Sequence, residues 1–188
     1  MTPGRLKLVL LLSGLALSGL VFLGWTQTWF GITLDEGLTL SVGGDVAAPA
    51  LSTLALTCLV LNGALSIAGP VFRVILGVLE AALGATVVFS GVIALVDPIK
   101  ASAATVSDAT GVAGAESIAG LVASVSVAAW PWVSTAAGAL LVLLGVVVVA
   151  SAGRWPGSGR KYSAVRLAPA DGDSVDDWDS LSGGHDPT

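Results

Sequence analysis

The chain has 188 residues, of which 54% are hydrophobic and 11% charged, with a mean hydropathy of +0.89. A water-soluble domain carries roughly 25% charged residues, so this composition excludes an ordinary soluble fold and, at this length, points to one membrane domain. The net charge of −5 comes without a basic stripe, which excludes a nucleic-acid surface.

The chain opens on a short basic segment with Arg5 and Lys7, and an apolar run from Leu8 to Gly24 follows. Ala16-Leu17-Ser18 has the small-x-small form of a signal cleavage site. The apolar run continues past it and ends at Trp25, an interfacial residue type, so the segment reads as a retained first span. Gly14 and Ser18 make a small-xxx-small pair suited to docking another helix. Residues 25–47 form a first loop. Within it, Ile32 to Val42 carries β-branched and leucine positions broken by Asp35, Glu36 and Gly37, which predicts a short β-hairpin or an extended lid. Pro49 suits the first turn of a helix, and 48–68 is the second span, with Asn62 its only strongly polar residue.

Gly69-Pro70 is a tight break, and the third span, 71–96, begins at once. As a helix it reaches roughly 39 Å, more than the ~30 Å apolar core of a bilayer. Gly77, Gly84 and Gly91 recur every seven residues, and Glu80 falls on the same face. Glycines so placed allow close helix packing in lipid, and Glu80 is expected to point into the protein, where burial favours its neutral form. Pairing residues across the Gly69-Pro70 turn sets Glu80 level with Leu59, near Cys58 and about one helical turn from Asn62. An Asn62–Glu80 contact, direct or through water, fits this register.

The second loop runs from Asp97-Pro98 to Ala129, and its acids Asp108 and Glu116 outnumber the one base, Lys100. Ile118 to Ala129 is apolar but too short to span, and is read as a helix on the outer face or a helical lead-in to the last span. Trp130-Pro131-Trp132 introduces the fourth span, 133–152, which has Gly138 and Gly145 seven apart. The expected organisation is therefore an all-α membrane protein. Residues 1–153 form a four-transmembrane-helix bundle (spans 8–24, 48–68, 71–96 and 133–152) with two outer loops. Residues 154–188 form a disordered cytoplasmic tail, basic at Arg154, Arg160, Lys161 and Arg166 and acidic from Asp171 onward.

Seven of the eight basic residues fall on one side of this scheme and only Lys100 on the other, so both termini are placed in the cytoplasm of a cell with this plasma-membrane protein. Trp25, Trp29, Trp130 and Trp132 then sit at the outer interface, as membrane anchors or as an aromatic cluster closing the bundle or cradling a flat ligand. Trp178 and Leu181 in the acidic tail suggest a docking peptide.

Phosphate-binding, zinc-protease and serine-hydrolase motifs are absent, and the one histidine, His185, lies in the tail. No enzyme activity, cofactor or metal site is expected.

Four segments carry a resemblance. They are Gly44-Asp45-Val46-Ala47-Ala48-Pro49-Ala50-Leu51 after the Trp29 loop, Trp130-Pro131-Trp132, Trp155-Pro156 with Gly159 and Tyr162, and the C-terminal stretch from Trp178 through Leu181 to Asp186-Pro187-Thr188. Together they resemble the actinobacterial tryptophan-biosynthesis-associated membrane protein family, whose W-x-x-L-D-x-G-x-D-P-T ending this chain reproduces in register. Ser182 stands where Asp is expected, and Lys161 where Arg is usual before the tyrosine. The resemblance implies a four-span protein encoded among tryptophan-biosynthesis genes, with no established activity. The function expected is that of an accessory or scaffold protein whose tail residues Trp178, Leu181, Asp186, Pro187 and Thr188 dock a protein partner. The alternative is a small oligomeric transporter or exporter of tryptophan or a related metabolite, using Glu80 and Asn62. A claudin-like adhesion role fits less well, because the single Cys58 cannot supply paired loop cysteines.

Overall fold

The computed structural model describes residues 3–154. Its elements in order are α1 (Pro3–Trp25), β1 (Thr28–Leu34), β2 (Thr39–Gly43), α2 (Gly44–Ala47), α3 (Leu51–Ile67), α4 (Pro70–Val96), α5 (Pro98–Ala101), α6 (Ala103–Thr110), α7 (Ala115–Ala119), β3 (Val122–Val127) and α8 (Trp130–Ser151), followed by one 3-10 turn, Ala152–Arg154. Helices α1, α4 and α8 are each long and apolar enough to cross a membrane. The fourth apolar helix, α3, has 17 residues, about 25 Å, which is less than a bilayer's ~30 Å apolar core. It starts three residues later than expected because Pro49 lies in the turn before it, not in its first helical turn.

Helices α3, α1, α8 and α4 pack in a ring, with α4 and α8 the closest pair. The buried residues of α4 are Arg73, Gly77, Glu80, Gly84, Val87, Gly91 and Ala94. They alternate steps of four and three, the 3.5-residue period that keeps one seam on a partner helix. The large apolar side chains face outward, among them Phe72 and Phe89, each 65% exposed. Small and polar residues inside with bulky apolar residues outside is the inverse of a soluble helix, and lipid is the medium that accepts it. The glycines bring backbones into contact. A Cβ on Gly84 would lie 2.7 Å from Val142 N and 2.8 Å from Gly138 O, and one on Gly145 would lie 2.5 Å from Gly77 O.

The loops at one end of the bundle build a three-stranded antiparallel sheet in the order β2-β1-β3. The expected hairpin is present, starting four residues earlier than Ile32, and Gly37 (φ 82°) takes the left-handed position in its turn. The third strand corrects the expectation of a helix over 118–129 and of an all-α protein. Ser124-Val125-Ser126-Val127 alternates small polar and β-branched residues with a period of two, and β1 offers the strand a free edge: Phe30 pairs with Val127 and Ile32 with Val125. Central strand β1 carries Trp29, Phe30, Ile32 and Leu34 into a core shared with Val21, Leu51, Val87, Val106 and Leu141. The rest of the second loop coils into α5, α6 and α7. Asp97 caps α5 by accepting from Lys100 N at 3.0 Å, and Gly111 (φ 72°) closes α6.

Candidate functional site

Glu80 and Asn62 meet inside the ring of helices. Asn62 is 2% exposed and Glu80 fully buried. Asn62 Nδ2 donates to Glu80 Oε1 at 3.1 Å and to Cys58 O, one turn back on its own helix, at 2.9 Å. The direct contact, rather than one through water, is therefore the arrangement adopted. Helix α1 forms the third wall. Gly14 faces the Asn62 amide so closely that a Cβ there would lie 2.6 Å from Asn62 Cγ. Ser18, also buried, donates to Gly14 O at 2.7 Å, so its hydroxyl is satisfied within α1. The Gly14/Ser18 pair thus docks a helix, and what it receives is the Asn62 side chain of α3. Glu80 Oε2 and Asn62 Oδ1 are buried and have no hydrogen-bond partner among the described residues.

A second buried ionic group went unrecognised in the sequence. Arg73 looks like one more interfacial base, yet it is 1% exposed, and its Nη1 donates to Ala152 O at 3.5 Å. That position places its charge at the C-terminus of α8, where the unpaired carbonyls favour a cation. At the same end of the bundle Lys7 Nζ donates to Ser66 O at 2.7 Å, tying the start of α1 to the end of α3. Seven residues separate Arg73 from Glu80 along α4, roughly 10 Å, so they belong to different sites.

Of the four outer tryptophans, Trp29 lies in the core beneath the sheet, Trp25 and Trp130 pack against that same core, and Trp132 stands apart. Trp29 is fully buried, its Nε1 donating to Gly24 O at 2.8 Å and its ring set edge-on to Phe30 at 6.3 Å. It is a core residue rather than an anchor, because the irregular register between Thr28 and Phe30 turns it under the sheet. Trp25 is half-buried against Phe22 at 5.7 Å, Trp130 packs partly against the core, and Trp132 is 60% exposed, the position of an interfacial anchor. Beside the hairpin turn a cleft of about 340 Å³ is lined by Leu34, Asp35, Glu36, Leu38, Thr110 and Leu121 among others. Among the described residues no three of His, Cys, Asp or Glu gather as a metal site would require. The tail positions Trp178, Leu181, Asp186, Pro187 and Thr188 lie outside the described residues.

Three membrane-length apolar helices, a fourth shorter one packed among them and an inverted pattern of exposure define a polytopic membrane protein with a polar node at its centre. The chain matches the family model described as tryptophan-associated transmembrane protein over residues 7–188, and it belongs to that family. Neither a curated protein nor a solved structure matches it.

Proposed function

We propose that this chain is an accessory or scaffold protein of the plasma membrane, associated with tryptophan metabolism, which presents its C-terminal tail to a cytoplasmic protein partner. It is not an enzyme in this reading. The observation that carries the reading is the closure of the polar node. With Glu80 fully buried and Asn62 2% exposed, the membrane-embedded polar groups bind helices to one another instead of lining an open surface. A bundle held together in this way suits a supporting role, and the patterned segment from Trp178 to Thr188 is the part suited to attachment.

In this reading α3 is a fourth span, its short length met by local bilayer thinning or by the polar ends of its neighbours. Both termini are cytoplasmic. Arg5, Lys7, Arg73 and Arg154 favour this orientation, since α1 begins, α8 ends and the α3–α4 turn falls at one end of the bundle, opposite the sheet and Lys100. Deleting residues 171–188 tests the function. The scaffold reading expects loss of the tryptophan-linked phenotype with membrane abundance unchanged.

One observation favours a second reading, a small oligomeric exporter of tryptophan or a related metabolite. Glu80 Oε2 is an unpartnered carboxyl oxygen within the membrane domain, the kind of group that marks proton or ion pathways. That reading expects tryptophan efflux to fall in Glu80→Gln with the tail intact.

A further inference from the structure

We infer that Glu80 and Asn62 form a closed acid–amide pair in which a proton bound at Glu80 Oε2 is donated to Asn62 Oδ1. The inference rests on the scaffold reading only in taking the node as a clamp between α3 and α4. The donors and acceptors of the node do not balance without one further proton. Asn62 has two N–H groups, and both are used, on Glu80 Oε1 and on Cys58 O. Two buried acceptors then remain, Glu80 Oε2 and Asn62 Oδ1, and no donor among the described residues reaches either. An ionised Glu80 would leave both unmet and would hold a full charge in the membrane against a single N–H bond.

One proton meets both needs. On Oε2 it turns an unmet acceptor into a donor, and Asn62 Oδ1 is the unmet acceptor on the group already bonded to the same carboxyl. A carboxylic acid and a primary amide each give one hydrogen bond and take one, closing an eight-membered ring. The first side of that ring, Nδ2 to Oε1, is in place at 3.1 Å. Water or a metal ion is a poorer candidate, because neither oxygen borders space that a water-sized sphere can enter.

Among the described residues no competing charge faces the node. From α1 the node meets Gly14, with Ser18 committed to Gly14 O, and Lys7 is drawn off to Ser66 O. From α3 it meets Cys58, a buried thiol. On α4 the nearest charged residue is Arg73, seven positions away and bonded at Ala152 O. Between Trp130 and Ser151, α8 has no titratable residue. The node therefore clamps the helices as a neutral pair.

Infrared difference spectroscopy on the full chain in vesicles of phosphatidylethanolamine and phosphatidylglycerol tests this directly. At neutral pH, wild type minus Glu80→Gln should show the C=O band of a hydrogen-bonded carboxylic acid, shifting down in deuterium oxide. Asn62→Leu, or Asn62→Ala if the leucine variant does not insert, should move that band to the higher frequency of an unpaired acid. Loss of carboxylate bands alone in Glu80→Gln overturns the bound proton. A carboxylic acid band unmoved by the Asn62 substitution overturns the pairing. Neither readout depends on the tail or its partner, so failure here is separable from failure of the docking reading.

Discussion

At the scale of single residues, Asn62 is the hub, because its one side chain touches three helices. Glu80→Gln retains a group able to accept from Asn62 and to donate back, so its thermal midpoint in detergent should stay near that of wild type. Glu80→Leu strands the Asn62 amide in an apolar interior and should lower stability by about 0.6–2 kcal/mol, the span found for hydrogen bonds between membrane helices. Equal melting of the glutamine and leucine variants would remove the hydrogen bond from the account. Trp29→Ala should cost more, about 3–5 kcal/mol, since it empties a fully buried aromatic site under the sheet. Trp132→Ala, at a 60% exposed position, should change little. A small effect at Trp29 would return it to the role of membrane anchor. The inward direction of Glu80 and its nearness to Asn62 could be read from the seven-residue glycine spacing and the short α3–α4 turn, because both are local rules. The burial of Arg73 could not. It depends on where the end of α8 falls, 79 residues further along the chain.

At the scale of elements, the α4–α8 seam and the outer sheet differ in how each is encoded. The seam is written twice over, in Gly77, Gly84 and Gly91 and in Gly138 and Gly145, and its period needs no knowledge of the partner. Gly84→Leu should force apart backbones whose closest atoms would stand 2.7 Å from a new Cβ, with about 1–3 kcal/mol of lost stability or more. An engineered disulfide across the seam, compared in wild type and in the leucine variant, measures this: slower formation in the variant is expected, and an unchanged rate would contradict the packing. Strand β3 was hidden from the sequence for the opposite reason. Its alternation holds only from Ser124 to Val127 inside an apolar stretch, and its partner β1 lies about ninety residues earlier, so the choice between strand and helix was made by tertiary pairing. Helix α3 shows the same limit at its edge, where Pro49 ended up in a turn and shortened an expected span.

At the scale of the whole molecule, the described residues form a helix bundle with a three-stranded sheet at its loop end. Orientation is open to labelling, because the one native cysteine, Cys58, is buried and gives little background. A cysteine at Ser41 or Ser107 should react with an impermeant maleimide in intact cells and one at Ser174 should not. Labelling at Ser174 in sealed cells would invert the topology. Membrane character was plain from composition, and the family from the terminal motif. The sheet at the loop end was only half visible, as its hairpin. The central claim is that the tail docks a protein, and the most direct measurement is quantitative mass spectrometry of what co-purifies with the full chain in gentle detergent, wild type against Trp178→Ala at equal membrane abundance. The account predicts that a cytoplasmic partner, a tryptophan-pathway enzyme being the first to look for, is retained by wild type and falls at least about tenfold with the substitution, equivalent to about 1.4 kcal/mol. An identical set of co-purifying proteins from the two chains would contradict it.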